Sequence, residues 1–132
     1  MAFVAQSLQL FPGEFSVGIG CEDSDGFVAG VTYDKSSDNA VEANIWVSRQ
    51  PSLTWVACIL DYPFNVLGVG KMVAWVRETN EASVKFCSKL GFVVEGKIAD
   101  YYRDGSSVLI MTLSAEDCRL LHSKSLMRRV PR

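Results

Sequence analysis

The chain has 132 residues, 48% of them hydrophobic and 21% charged, with a formal net charge of −2. That suits one domain able to bury a single core without metals or crosslinks, and it excludes a disordered chain. No apolar run approaches the roughly 20 residues a membrane helix needs. The opening MAFVAQSLQLF lacks the basic residues and small-residue cleavage site of a signal peptide, so a cytoplasmic chain is expected.

Residues 14–22 and 26–33 are β-branched or aromatic stretches joined by DSDG, a hairpin signal. After the turn DKSSDN, residues 40–48 (AVEANIWVS) alternate, with Glu42, Asn44 and Trp46 on one side and Val41, Ala43, Ile45 and Val47 on the other. Three antiparallel strands therefore open the domain. From Ser52, a plausible N-cap, the period becomes helical through Leu53, Val56, Ala57 and Leu60 until Gly68 stops it, and Pro63 should kink or interrupt this helix. KMVAWVR, residues 71–77, reads as a buried central strand. NEASVKFCSKLGF follows: Asn80 caps a short amphipathic helix and Gly91 supplies the left-handed residue that ends it. Residues 92–98 and 108–113 are the last strands, and Ser114 with Asp117 marks the start of a final helix. The helix from Ser52 links the third and fourth strands as a parallel crossover, so a ligand is expected near their carboxyl ends, around Trp46–Thr54 and Asn80.

The four cysteines, Cys21, Cys58, Cys87 and Cys118, show no CxxC or other metal-ligand spacing and read as buried thiols. His122, near the end of the last helix, reads as a surface residue. From Ser123 onward the chain carries Lys124, Arg128, Arg129 and Arg132 and no acid, which leaves six net negative charges on the remainder. Such a tail can touch nucleic acid or an acidic partner, but the plainer expectation is a single domain over residues 1–122 followed by a solvated, frayed basic terminus at 123–132, with no nucleic-acid role.

Strand, Asn80, helix, LGF, strand and Glu95-Gly96, in that joint order, resemble the GNAT superfamily of acyl-CoA-dependent N-acetyltransferases. The wording LGVGKMVAWVRETNEASVKFCSKLGFVVEGKI is similar to the branch that acetylates ribosomal-protein N-termini. With DYPF upstream and LSAEDCRLL downstream it looks like small phage and prophage proteins of this type. The resemblance covers residues 55–121 and is architectural for 14–54. It implies an α/β (α+β) fold whose mixed, mostly antiparallel sheet has a central parallel strand pair, here shortened at the N-terminus, with FVAQSLQLF as a remnant helix.

The resemblance also implies that the parallel strands splay into a V where the pantetheine arm of acetyl-CoA, the co-substrate, lies against bare main chain at Ile45, Trp46 and Val47. The family's phosphate loop, R/Q-x-x-G-x-G/A, is replaced here by SRQPSLTW: its glycines are missing and Pro51 has no N–H. Arg49 and the amides of Ser52, Leu53 and Thr54 are the expected phosphate ligands, with Asn80 and Ser83 beside the cofactor. The Tyr that many relatives use as general acid, seven residues after the Asn, is Cys87 here, whose plainer role is core filling. Glu42 is the first candidate for the base, with Tyr101 and Tyr102 as alternatives.

Two functions follow. One is acetyl transfer from acetyl-CoA to a primary amine of a protein, peptide or small molecule by direct attack. The other is a catalytically degenerate binding protein of the same fold. A homodimer is expected to supply the missing substrate wall.

Overall fold

The computed structural model describes residues 3–4, 8–10 and 17–131. The strands are β1 (Phe3–Val4), β2 (Leu8–Leu10), β3 (Val17–Asp23), β4 (Gly26–Lys35), β5 (Ala40–Val47), β6 (Lys71–Arg77), β7 (Val93–Ile98) and β8 (Val108–Ser114). The helices are α1 (Leu53–Asp61), α2 (Glu81–Leu90) and the short α3 (Lys124–Met127). Among the described residues the sheet runs β1-β3-β4-β5-β6-β8-β7, with β2 also paired to β3. Every pairing is antiparallel except β5 with β6, as the crossover through α1 requires. Residues 14–16 of the first expected strand lie outside the described residues. Phe3–Val4 and Leu8–Leu10 are strands on the outer edge of β3 rather than a remnant helix. A short apolar run does not distinguish the two, and an open sheet edge takes the strand.

Alternation places Val41, Ala43, Ile45 and Val47 of β5 and Met72, Ala74 and Val76 of β6 in the core. The helices cover this face. Trp55 Nε1 donates to the Ile19 carbonyl at 3.1 Å, and the Tyr33 hydroxyl donates to that of Ile59 at 2.6 Å, pinning α1 to β3 and β4. The opposite face is only partly covered: Val73 and Trp75 are half-buried and Arg77 is exposed. β6 is thus central without being buried on both sides, contrary to the expectation from its apolar sequence. All four cysteines are buried, and none forms a disulfide among the described residues.

Pro63 acts as its chemistry demands. The α-helix ends at Asp61, and Tyr62–Val66 widens into a π turn closed by Leu67 N–H donating to the Tyr62 carbonyl at 2.9 Å. Gly91 ends α2 at φ 110°, and a Cβ there would lie 3.3 Å from Leu113 Cδ1. The helix expected from Ser114 is not formed. Ser114 is the last residue of β8, paired with Lys71, and the chain then turns into a 3₁₀ segment, Arg119–His122, and α3. The terminus is not frayed: Leu126 and Val130 belong to the core, so residues 123–131 pack onto the domain with their basic side chains outside.

Candidate functional site

β5 and β6 pair from Ala40–Lys71 to Asn44–Trp75 and then part. Each continues on its outer partner, β5 beside β4 as far as Val47 and β6 beside β8 as far as Arg77. The start of α2 enters this split. Asn80 caps the helix, its Oδ1 accepting the Ser83 N–H at 3.0 Å. Ser83 is fully buried, and its Oγ accepts the Val47 N–H at 2.9 Å. A helix tip therefore takes the amide that a continued β6 would have to pair, which is the local cause of the opening.

Two cavities reach the split from opposite faces of the sheet. The smaller, of about 290 Å³, lies between the start of α1 and the side of α2. Val47 and Phe86 line it, with Arg49, Lys85 and Lys89 as its cations and no acidic residue among its described lining. Ser52 caps α1, its Oγ accepting the Trp55 N–H at 3.1 Å. Leu53 and Thr54, as the first two residues of the helix, have amides with no carbonyl one turn back to bond, and Leu53 lines the cavity. A positive helix end beside two lysines suits a phosphorylated ligand.

The larger cavity, of about 760 Å³, opens on the uncovered face. Asn44, Ile45, Trp46, Trp75 and Asn80 bring it to the split, and Gly18, Gly20 and Gly30 give it a floor without side chains. Phe27 and Trp46 form one wall, with ring centroids 5.6 Å apart. On the other side Trp75 stacks on Tyr101 at 6.1 Å, and the Arg77 guanidinium lies 4.1 Å above the Tyr102 ring. Arg77 donates from Nε to Ser106 Oγ at 3.1 Å and pairs with Asp104 at 3.0 Å. Hydrogen bonds from the Ser106 hydroxyl and amide, with the Arg77 pair, pull the Asp104 carboxyl down to about 2.

The expected site residues divide. Ile45, Trp46 and Asn80 line the larger cavity, Val47, Arg49 and Leu53 the smaller. Val47 does not offer its N–H, which Ser83 holds. Arg49 is not a free phosphate ligand: it pairs with Asp23 at 2.6 Å, a carboxylate with a side chain only 6% exposed. That hydrogen bond holds the Asp23 carboxyl below its ordinary range, against the opposing effect of burial. Cys87 cannot act as the acid. It faces the core with no exposed surface, and burial pushes its thiol up to about 12. Glu42 is half-buried on the uncovered face but outside the cavity lining, two residues and so about 7 Å along the strand from Asn44. Tyr102 lines the cavity, and Tyr101 backs Trp75. Sequence reasoning missed Lys85, Lys89, Trp75 and Arg77. The lysines lie on a helix described only as amphipathic, and the other two in a strand expected to be buried, so none of the four was marked out.

No protein-family model and no curated protein matches the sequence. Solved structures do match the fold. The spermidine N-acetyltransferase of Vibrio cholerae in complex with CoA and spermine superposes with a TM-score of 0.62 at 20% identity, over 79% of this chain and 68% of that one. A spermidine/spermine N-acetyltransferase SpeG variant from the same organism gives 0.61 at 19% identity, over 80% and 70%. A dodecameric form in an intermediate state gives 0.59 at 21%, over 75% and 64%. The mixed sheet with its one parallel, splayed strand pair is the GNAT N-acetyltransferase fold.

Proposed function

We propose that this protein is an N-acetyltransferase that moves the acetyl group of acetyl-CoA to a primary amine. The observation that carries the reading is the split itself: two parallel strands part after Asn44–Trp75, with a cationic cavity beside them on one face and an aromatic cavity on the other. A long thioester with a phosphorylated end suits that path. Its phosphates would meet Lys85, Lys89 and the Leu53 and Thr54 amides, its arm the β5 main chain around Ile45–Trp46, and its acetyl group the larger cavity.

The chemistry needs positioning more than covalent help. The neutral amine nitrogen attacks the thioester carbonyl carbon; a C–N bond forms, the C–S bond breaks, and the proton released from nitrogen ends on the departing thiolate. Cys87 takes no part in this exchange. Glu42, which lies outside the cavity lining two residues before Asn44 on β5, accepts a proton from the incoming ammonium through water. The exposed Val93, Val94 and Ile98 of edge strand β7 support association with a second copy. Light scattering that shows only monomer removes that part.

The second reading, a binding protein without catalysis, is favoured by Pro51 in place of the glycine loop and by Arg49 being held by Asp23. A thermal-shift titration with acetyl-CoA separates enzyme from fold alone. Ligand at a hundredfold excess over Kd stabilises by about 2.7 kcal/mol, a rise of roughly 10 °C for a domain of this length. No rise at millimolar acetyl-CoA removes the acetyltransferase reading. A rise with no acetylated amine formed favours the second.

A further inference from the structure

Arg49 and Asp23 form an ion pair whose two halves sit in different surroundings. The guanidinium side chain is 44% exposed and lines the smaller cavity, while the carboxylate side chain behind it is only 6% exposed. Their places are fixed by the chain around them. Asp23 ends β3, and its Oδ1 accepts both the Asp25 N–H at 2.8 Å and Arg49 Nη2 at 2.6 Å. Arg49 follows β5 closely, after Ser48, which donates from its amide and from its hydroxyl to the Val28 carbonyl, each at 2.9 Å. The segment leading into α1 is thus stapled to the β3–β4 hairpin, and an acid of that hairpin meets a cation of the cavity.

Charge decides what this does to a ligand. Pro51 removes an N–H from the segment that would otherwise approach a phosphate through its main chain, so the side chains Arg49, Lys85 and Lys89 carry more of the attraction. A guanidinium has five N–H donors, and the bond from Nη2 to Asp23 uses one of them. Arg49 can therefore still reach an anion at the cavity, but its charge is already neutralised by the carboxylate beside it. A phosphate arriving there meets the like charge of Asp23 and must either share the guanidinium or displace the carboxylate. Displacement leaves Asp23 with the Asp25 amide in a place with little access to water, which costs more than releasing a surface acid. We propose that Asp23 is a built-in competitor for Arg49, a carboxylate that holds down the cavity's affinity for phosphorylated ligands. This rests on the acetyltransferase reading only for the identity of the ligand as acetyl-CoA; the competition itself stands on the ion pair and the cavity.

The test is calorimetric titration of the full chain with inorganic pyrophosphate and, separately, with acetyl-CoA, at one fixed ionic strength. Asp23→Asn keeps the shape and an acceptor oxygen and removes the charge. With a cooperative melt to show that it folds, it should bind pyrophosphate about tenfold tighter than the native chain. A second measurement needs only the native chain: the Arg49 Nε–H signal in nuclear magnetic resonance, assigned through its bonds, should shift saturably as pyrophosphate is added. Equal or weaker pyrophosphate binding by Asp23→Asn overturns the proposal, the weaker case making Asp23 a support for Arg49 instead of its competitor. An Arg49 signal that stays in place at saturation overturns it too, and so does pyrophosphate that binds neither chain. The acetyl-CoA arm fails or succeeds separately. Acetyl-CoA bound by the native chain, with pyrophosphate indifferent to Asp23→Asn, ends this inference alone. Tighter pyrophosphate binding by Asp23→Asn with acetyl-CoA bound by neither chain ends the acetyltransferase reading and leaves an anion site that Asp23 controls.

Discussion

Replacing Ser83 by Ala removes one hydrogen bond and little else. The backbone N–H that Asn80 caps is kept, so the start of α2 survives, while the Oγ that accepts the Val47 N–H at 2.9 Å is lost. Ser83 is fully buried and Val47 nearly so, so no water replaces the acceptor. An unpaired buried amide costs about 1–3 kcal/mol, and the better helix propensity of Ala returns about 0.5 kcal/mol. A net loss of about 1–2 kcal/mol should lower Tm by roughly 4–8 °C, read by calorimetry or circular dichroism. The acetyl-CoA response should not shrink, because the Val47 amide is held by Ser83 in the native chain and gives the ligand nothing there. An unchanged Tm would show that the amide has another acceptor and that Ser83 does not hold the split. A folded variant with no acetyl-CoA response would show that Ser83 contacts the ligand itself.

Cys87→Ala should leave kcat within about twofold while costing about 1–2 kcal/mol of stability through the small void it opens; a folded variant slowed a hundredfold would restore the thiol to the mechanism. Glu42→Gln should lower kcat/KM about tenfold to a hundredfold, most strongly near neutral pH, and an unchanged profile would make Glu42 an ordinary strand carboxylate. Lys85→Ala with Lys89→Ala should weaken acetyl-CoA about tenfold and flatten its salt dependence, whereas an unaltered Kd would move the phosphates elsewhere. Because the folded Asp23 carboxyl lies below its unfolded value, its contribution to stability is present above that unfolded value and is lost as pH falls through the folded one. Asp23→Asn should therefore make acid unfolding shallower, and identical acid profiles would contradict the Arg49 pairing.

What was legible in the sequence was local. Asn80 and Gly91 bracket α2 because a cap and a left-handed residue declare themselves within a single turn, and Ser52 and Pro63 mark α1 in the same way. What was not legible depends on residues far apart in the chain. Arg49 meets Asp23 across 26 residues and Ser83 meets Val47 across 36, so one expected ligand is held by an acid and one expected main-chain donor is taken. The final helix failed because Ser114, a fair cap in isolation, pairs with Lys71 in the sheet. Trp75 looked like core because its neighbours in sequence are apolar, and only the uncovered face of the sheet shows that it lines a cavity.

The most direct measurement is amide-resolved hydrogen exchange with and without saturating acetyl-CoA. The account predicts slowed exchange at Ile45 and Trp46 of β5 and at Leu53 and Thr54, with β3 and β7 unaffected. Protection absent from these positions, or confined to other parts of the sheet, would contradict it.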